Sequence, residues 1–307
     1  MIDRRTLNLG LGVFAASVLA APATAQVAFS EPGNGPWTGG GVLRRAGGLL
    51  QYKTLGDRAS TKPPVVLLHK LGGWLSDWRF VAPALARDRY VIAFDLPGHG
   101  GSRWDGAAPY IQSLAESAAL LVGALNEMGI AQIDLIGTSL GGCVSVPLAA
   151  YFPERIHRLA LVSCALGGPH TLAEIATAID APQKKIFTPD GLPLPKDAGL
   201  LEQIFGIVHT GPISAEGNAS RRQAGRWIQP SERGVAITDI KGLLMRVEAP
   251  TLLLYGAKDK AYIKFRTGAE AALKNSRTEF VPDAGAFVMQ DNPPATAAAL
   301  TRFLDQG

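Results

Sequence analysis

The feature that most constrains the fold of this chain is a serine, Ser139, set in the sequence Gly-Thr-Ser-Leu-Gly at 137–141. The mainly apolar residues 133–136 (IDLI) are typical of a short buried strand, and residues 143–151 have the composition of a helix. A serine on so sharp a strand-to-helix turn crowds its neighbours against the flanking backbone, so glycine is required two residues before it and two residues after it. The turn therefore predicts a serine hydroxyl raised above the sheet, at the positive end of the following helix.

The G-x-S-x-G pattern of this turn is known as the nucleophile elbow when a strand precedes it and a helix follows. The pattern also arises by chance in glycine-rich chains, and this chain has 35 glycines, so an ordinary strand-to-helix turn is the alternative. The flanking strand and helix favour the elbow. In an elbow, the backbone N–H of Leu140 points to the position where an oxyanion forms during acyl transfer. The pattern thus predicts Ser139 as a nucleophile.

Residues 1–25 have the pattern of an export signal rather than of a folded element. Arg4 and Arg5 precede an apolar run at 7–21, and residues 23–25 (ATA) provide a small-residue cleavage site. The adjacent arginines indicate the twin-arginine route, on which proteins cross the membrane already folded. A membrane anchor is the alternative, but the apolar run falls short of the roughly 20 residues that span a bilayer. We therefore expect an exported bacterial protein, periplasmic or secreted.

Charge and composition exclude several classes of function. Removal of residues 1–25 takes away two arginines and one aspartate, which lowers the formal net charge from +4 to +3. So mild a charge, without a basic run, predicts no nucleic-acid partner, and no other stretch predicts a membrane span. The sequence has no cysteine and histidine cluster with metal-ligand spacing and no phosphate-binding glycine motif, so we expect neither metal nor cofactor. Cys143 and Cys164 lie in apolar contexts that favour buried free thiols, although a disulfide between them stays open.

Short apolar strands alternate with helical segments, which predicts an α/β fold with a mainly parallel sheet and helices on both faces. The alternation stops at residues 167–241, where amphipathic segments and Gly/Pro turns predict a mostly helical insertion, called the cap below. The domain prediction is therefore a core in two parts, 26–166 and 242–307, with the cap between them. The predicted strands are 42–45, 49–54, 64–68, 90–94, 133–136, 159–163, 249–255 and 278–281, and the predicted helices of the core are 74–86, 111–128, 143–151, 261–273 and 295–304.

Five motifs in the same order resemble those of the α/β-hydrolase fold family: residues 67–73 (LLHKLGG), 95–102 (DLPGHGGS), 137–141 (GTSLG), 255–259 (YGAKD) and 285–293 (GAFVMQDNP). The resemblance extends over nearly all of the chain after the export signal. It implies an eight-stranded sheet with the cap inserted after the sixth strand. It also implies a serine hydrolase that acts on small apolar esters or related acyl compounds.

The resemblance also implies roles for individual residues. Ser139 is implied as the nucleophile, and Asp259 as the acid that orients the base. The backbone N–H groups of Leu71 and Leu140 are implied as the oxyanion hole. His69 is expected to order the loop that carries Leu71, and residues 69–73 are called the oxyanion loop below. A serine nucleophile is unlike the aspartate nucleophile of the dehalogenases and epoxide hydrolases in this family.

Two positions depart from the family pattern. The family carries its catalytic histidine in the last motif, where this chain has Ala286, and alanine has no group that can accept a proton. Loss of the base in such a triad lowers turnover by roughly 10⁶-fold. The second departure is Lys70, where the family has glycine after His69. A lysine there must tolerate or distort a tight backbone, and its side chain can intrude on the pocket.

Three further side chains are candidates to replace or assist the missing base. His170 and His209 belong to the cap and can hang over Ser139, although a solvated or packing histidine is the commoner case. Lys70 lies on the oxyanion side of the serine, so it is better placed to stabilise charge than to remove a proton. Trp74 fits a pocket wall or a core position.

Three functions are therefore open from the sequence. The first is a serine ester hydrolase whose turnover is severely impaired by Ala286, either as an inactivated variant or as a lineage that lost its base. The second is a non-catalytic periplasmic protein that binds a small apolar ligand in the capped pocket. The third is an active hydrolase whose base is relocated to His170 or His209.

Overall fold

The computed structural model describes residues 35–306, and the predicted export signal at 1–25 lies outside these residues. The described residues form one sheet of nine strands. The strands are β1 Gly39–Arg45, β2 Gly48–Leu55, β3 Val65–Leu68, β4 Val91–Phe94, β5 Arg103–Trp104, β6 Ile133–Thr138, β7 Ile156–Val162, β8 Thr251–Gly256 and β9 Ser276–Val281.

The sheet is mainly parallel, which confirms the predicted fold class. Its strand order is β1-β2-β4-β3-β6-β7-β8-β9, and the two-residue β5 pairs with β2 beside this path. β1 and β2 form an antiparallel hairpin at the edge of the sheet, and β2 runs antiparallel to β4. The remaining neighbours, from β4 to β9, are parallel. Eight strands on one path are the number expected, and β5 is a short addition that the sequence did not indicate.

Helices pack on both faces of the sheet because successive side chains of a strand point to opposite faces. In β3, Val66 and Leu68 belong to one hydrophobic core, and Val65 and Leu67 belong to the other. None of the helices, all within residues 35–306, is long and apolar enough to cross a membrane. The helices are α1 Ala82–Leu85, α2 Leu114–Glu127, α3 Leu140–Tyr151, α4 Leu172–Ile175, α5 Ala181–Gln183, α6 Ala198–Phe205, α7 Thr210–Ala224, α8 Ile228–Ile237, α9 Ile240–Leu244, α10 Arg266–Ala272, α11 Val288–Asp291 and α12 Pro293–Leu304.

The prediction of one continuous helix at 74–86 is wrong. The chain forms a 3₁₀ turn, Leu75–Trp78, and then the separate helix α1. Pro83 is the physical reason, because it has no N–H to donate to the carbonyl four residues earlier and its ring clashes there. The segment predicted as helix at 261–273 is divided in a similar way, into a 3₁₀ turn, Ile263–Phe265, and α10.

The connection between β7 and β8 contains α4 to α9 and a π-helical turn, Ala176–Asp180. These helices lie in the segment for which the sequence predicts the cap. The domain boundaries at 26–166, 167–241 and 242–307 stay predictions.

Both cysteines are buried free thiols, which answers the question of a disulfide between them. Burial raises the pKa of the Cys143 thiol to about 12, so it stays protonated near neutral pH. Cys164 packs under the start of α3, since a Cβ on Gly142 would lie 2.0 Å from its Sγ. The two thiols therefore serve as small packing groups beneath the elbow.

The parallel register brings the carboxyl ends of several strands to one edge of the sheet. The oxyanion loop follows β3, Ser139 follows β6, and Asp259 follows β8. Ala286 lies in the loop between β9 and α11. The predicted site residues thus come from separate parts of the sequence to the same edge, which is where open α/β sheets bind their ligands.

Candidate active site

Ser139 lies at the turn between β6 and α3 with an unusual backbone conformation. Its φ of 50° and ψ of −115° fall outside the regions favoured by residues with a side chain. The flanking glycines make the turn possible. A Cβ on Gly137 would lie 2.4 Å from the backbone of Gly141, and a Cβ on Gly141 would lie 2.4 Å from the Leu68 carbonyl oxygen. The turn therefore has the geometry of a nucleophile elbow.

The backbone N–H groups of Leu71 and Leu140 are available beside Ser139. The three residues line the same cavity. Within residues 35–306, neither N–H donates a hydrogen bond to a backbone carbonyl or to a side chain. The N–H of Gly141 donates to the His69 carbonyl at 2.9 Å, which joins the oxyanion loop to the first turn of α3. The arrangement can present two donors to a ligand oxygen, as an oxyanion hole requires.

His69 is a buried, fully bonded residue of the oxyanion loop. Its Nδ1 donates to the Lys70 carbonyl at 2.7 Å, and its Nε2 accepts from the Leu96 N–H at 2.9 Å. Burial holds the pKa of His69 well below its usual value, and the electrostatic effects of the nearby His99 and Lys70 lower it further. The ring is therefore neutral and holds the loop in place, and neither nitrogen is free to act on Ser139.

Lys70 lines the main cavity, but its charge is paired. Its Nζ donates to Asp77 Oδ1 at 2.6 Å, and the two side chains are 7% and 0% exposed. The ammonium group also lies 5.3 Å from the centre of the Phe287 ring. The left-handed backbone of this loop belongs to Gly72, with a φ of 67°, and not to Lys70. A lysine is tolerated here because the tight turn lies two residues later and a buried carboxylate faces its ammonium group.

Asp259 is a buried carboxylate without an imidazole beside it. Its Oδ1 accepts from the N–H groups of Ala261 and Tyr262, both at 2.9 Å. Its Oδ2 is buried and has no hydrogen-bond partner of normal geometry within the described residues, although the Ser163 hydroxyl lies close enough to favour the charged form. Burial raises the pKa of Asp259 in spite of these donors. One oxygen therefore remains where a histidine N–H would be held in the family.

The hydroxyl of Ser139 bonds to a tyrosine, which the sequence did not indicate. The Oγ of Ser139 lies 2.9 Å from the Tyr262 Oη. Burial raises the pKa of the Tyr262 phenol further above its usual value, so the phenol is protonated near neutral pH. A protonated phenol can share a hydrogen bond with Ser139 but cannot accept its proton. Tyr262 therefore holds the serine hydroxyl without activating it.

The position of the missing histidine is packed with apolar groups. Ala286 is fully buried, and its N–H donates to the Phe205 carbonyl at 2.9 Å. The rings of Phe205 and Phe287 lie 5.0 Å apart, and the rings of Phe205 and Tyr262 lie 6.3 Å apart. An aromatic cluster thus surrounds the position from which the base acts in the family.

The two cap histidines differ in their relation to Ser139. His170 is exposed and lines a cavity that reaches Ser139. The His209 side chain is 64% exposed, and its Nδ1 lies 3.1 Å from Asp291 Oδ1. His209 lines neither of the two cavities at Ser139. Trp74 is buried and its indole N–H donates to Glu216 at 3.1 Å, so it joins the core to α7 instead of lining these cavities.

Two cavities meet at Ser139. The larger has a volume of about 530 Å³ and lies beneath α6 and α7, and the smaller has a volume of about 250 Å³ and extends toward Gly168 and His170. Both reach Leu71, Ser139 and Tyr262. The larger volume is within the range of small-molecule sites.

Part of the sequence matches a known family. The family model described as the alpha/beta hydrolase fold matches residues 63–188, which include the oxyanion loop and the elbow. The chain therefore has an α/β-hydrolase fold, and its sequence is similar to that family over residues 63–188. The solved structure of the enol-lactonase from Burkholderia xenovorans is 22% identical with a TM-score of 0.68, and the likeness covers 87% of this chain and 100% of that chain. At this identity the likeness shows the fold alone.

Two curated relatives are similar over part of the chain. The dihydrolipoyllysine-residue acetyltransferase component of the acetoin cleaving system of Pseudomonas putida is 41% identical over 119 residues, which are 39% of this chain and 31% of that protein. The 2-hydroxymuconate semialdehyde hydrolase of a Pseudomonas species is 39% identical over 106 residues, which are 33% of this chain and 36% of that protein. The chain therefore matches about a third of the length of these relatives.

Asp291 stands in the last motif of this hydrolase-fold protein, and the sequence predicted no role for it. Its side chain is 0% exposed. Its carboxylate accepts from the N–H groups of Gly285 at 2.7 Å, Val208 at 2.9 Å and His209 at 2.8 Å. These bonds join the loop that carries Ala286 to the junction of α6 and α7, and this junction is called the cap seam below.

We expect Asp291→Ala to destabilise the protein by about 3–5 kcal/mol, because it leaves three backbone donors without an acceptor in a buried position. At about 2 °C per kcal/mol for a chain of this size, the Tm falls by about 6–10 °C. Thermal unfolding measures the effect, with the exposed Glu248→Ala as the control that removes a carboxylate without a described partner. Equal Tm values for the two variants would show that the cap seam contributes no stability.

Proposed function

We propose that this protein takes small apolar carboxylic esters or related acyl compounds over Ser139, and that it hydrolyses them with severely reduced turnover because Ala286 stands at the histidine position. The observation that carries the proposal is the hydrogen bond of Ser139 Oγ to the Tyr262 hydroxyl, in an elbow whose serine meets no imidazole within the described residues. The N-terminal signal pattern supports a location outside the cytoplasm, in the periplasm or beyond it.

The groups around Ser139 support the binding half of this chemistry. A carbonyl carbon above Ser139 Oγ would place its oxygen near the N–H groups of Leu71 and Leu140, which have no partner of their own among the described residues. Apolar side chains, including those of Leu201, Phe205 and Phe287, line the larger cavity and suit a hydrocarbon chain. Two adjoining cavities suit a ligand with an acyl part and a leaving part.

The proton step is the one that this chain does not support. Attack by Ser139 requires a base to take the hydroxyl proton and return it to the leaving group. The hydroxyl of Tyr262 is the partner of Ser139, and a phenol with a raised pKa does not accept that proton near neutral pH. Asp259 keeps the position of the acid, but within residues 35–306 it has no imidazole to orient.

A non-catalytic ligand-binding protein is the second candidate. The buried Ala286 and the aromatic cluster of Phe205, Tyr262 and Phe287 favour it, because they fill the place of the base with packed apolar groups. The relative named as a 2-hydroxymuconate semialdehyde hydrolase supports a small acyl compound as the ligand for either candidate.

The proposal predicts that Ser139 is not activated. A fluorophosphonate probe should leave the wild-type protein unlabelled at neutral pH, over a time that fully labels an active serine hydrolase. Ser139→Ala should change turnover of p-nitrophenyl butyrate by less than about threefold, because loss of one essential triad member already removes nearly the whole effect of the triad.

Rapid labelling of wild-type Ser139 would overturn the proposal that turnover is impaired, and it would show that another residue acts as the base. His170→Ala and His209→Ala would then identify it. His170 is the stronger candidate because it lines a cavity that reaches Ser139, and His209→Ala serves as the matched cap control.

A further inference from the structure

The larger cavity contains charged groups that the hydrolysis of a neutral ester does not require. Lys196, which precedes α6, and Arg221, in α7, both line its wall. Neither belongs to the five motifs that resemble those of the family. Cations in a partly apolar cavity need counter-charges or a ligand, because burial disfavours an unpaired charge.

Arg221 has hydrogen-bond donors that are not used by the protein. Its Nε and Nη2 atoms are buried and have no partner within the described residues. A Cβ on Gly72 would lie 2.9 Å from the Arg221 Cγ, so the side chain runs over the oxyanion loop. The guanidinium carbon lies 5.7 Å from the centre of the Phe187 ring, which supports one face of the group. The guanidinium group is thus held in the wall of the cavity that contains Ser139, and two of its donors have no partner among the described residues.

Lys196 is held in the same wall by α7. Asn218 of α7 accepts from the Lys196 N–H at 2.8 Å and donates to its carbonyl at 2.9 Å. The ammonium group of Lys196 lies 5.8 Å from the centre of the Phe205 ring. Burial lowers the pKa of Lys196 to about 8, and the charge of Arg221 adds to this effect. The positive charge of Arg221 therefore disfavours the charged form of Lys196.

Glu232 is the acidic side chain that lines this cavity, and it compensates one of the two charges. Gln183 donates a hydrogen bond to its Oε2, and Gln229 in turn donates to the Gln183 Oε1 at 2.8 Å, which fixes the amide. Burial raises the pKa of Glu232, although Lys196 and Arg221 favour its charged form. With Glu232 ionised, the three groups carry a net charge of one positive unit. A single negative charge would balance it.

We propose that the ligand of this cavity carries a carboxylate, held by Arg221 and Lys196 while its acyl group lies over Ser139. The proposal rests on the proposed function and changes its substrate class from wholly apolar compounds to esters or acyl compounds that carry one carboxylate. A guanidinium group with two free donors matches a planar carboxylate, and the apolar wall accommodates the carbon chain between carboxylate and carbonyl.

The test compares two esters that differ in one charge. Glutaric acid monophenyl ester carries a carboxylate, and methyl phenyl glutarate is its neutral analogue. Calorimetric titration of the wild-type protein at pH 7 should give a Kd at least about tenfold lower for the monoanion, as expected for charge-assisted hydrogen bonds in a partly buried site. Arg221→Gln should remove most of this preference, and Arg222→Gln, an exposed neighbour in the same helix, should leave it unchanged.

The pH dependence provides a second readout. Because Lys196 loses its charge as the pH rises through about 8, the Kd of the monoanion should rise between pH 7 and pH 9, while that of the neutral ester stays constant. Lys196→Met should make the two profiles parallel. The other titratable or charged groups that face Lys196 in the cavity are Arg221, Glu232, Lys70, Lys260, Lys264 and Tyr262.

Equal affinity of the wild-type protein for the two esters would overturn the proposal, as would an equal effect of Arg221→Gln and Arg222→Gln in variants with unchanged Tm. These outcomes are separate from a failure of the proposed function. A preference for the monoanion measured by binding stands even if no variant hydrolyses an ester, and restored hydrolysis of neutral esters without that preference would leave the hydrolase proposal intact.

Discussion

Replacing alanine by histidine at the family's base position, Ala286→His, is expected to raise kcat/KM for p-nitrophenyl butyrate by at least about 10³-fold. The reason is that the elbow, the two free N–H groups and the Asp259 carboxylate are already in place, and a base completes the triad. The gain should stay below the roughly 10⁶-fold that a complete triad provides. Tyr262 is the physical cause of the shortfall, since it holds the Ser139 hydroxyl that the imidazole must reach.

The matched control is Ala286→Asn, which adds a polar side chain of similar reach without a titrating nitrogen. It should leave turnover unchanged within about threefold. The double variant Ala286→His with Tyr262→Phe removes the competing hydroxyl and should exceed the single variant. In both histidine variants, Ser139→Ala should return turnover to the wild-type level.

A gain in kcat/KM below about tenfold in the folded double variant would contradict the proposal that the protein is a hydrolase impaired by Ala286. If the cavity still binds the glutarate esters in that case, the ligand-binding candidate becomes the better description. A fluorophosphonate label on Ser139 in the histidine variants distinguishes a serine that reacts from a pocket that accelerates hydrolysis in another way.

The second large effect is expected at the elbow itself. Gly141→Ala should destabilise the protein by at least about 3 kcal/mol, because the new Cβ would lie 2.4 Å from the carbonyl oxygen of Leu68. Leu68 ends a fully buried central strand, so its backbone cannot move away without disturbing both cores. The Tm should fall by about 6 °C or more, and thermal unfolding followed by circular dichroism measures it.

Gly268→Ala is the control for this change. It adds the same methyl group in α10, where nothing lies within 4 Å of the new Cβ. Alanine is favoured over glycine in a helix, so the control should be neutral or more stable by up to about 1 kcal/mol. A Tm for Gly141→Ala within about 1 °C of the wild type would show that the strand and helix can separate to accept the methyl group.

The elbow could be predicted from the sequence because its constraints are local. Gly137 is close in sequence to the group that excludes its side chain, the backbone of Gly141, and the apolar residues of β6 indicate a buried strand. The parallel order of the sheet follows from the alternation of strands and helices in the same way. The motif at 255–259 identified Asp259 by its position after β8.

The contacts of Ser139 and the charges of its cavity could not be predicted in this way. Tyr262 is separated from Ser139 by 123 residues, and no spacing rule links a tyrosine to a serine at that distance. Arg221 and Arg222 are neighbours in sequence, and the orientation of α7 alone turns one into the cavity and leaves the other exposed. Charged residues of this kind are normally on the surface, so composition gave no indication of a buried cation.

The cap seam also determines how molecules can travel to and from Ser139. The N–H groups of Val208, His209 and Ala286 all bond across it, so a hinge along that line would break buried hydrogen bonds together. We expect ligand and product to enter and leave the site near Gly168 and His170, toward which the smaller cavity extends. The entrance of the pocket would then lie on a different side from the loop that carries Ala286, and Ala286→His would leave the entrance unchanged.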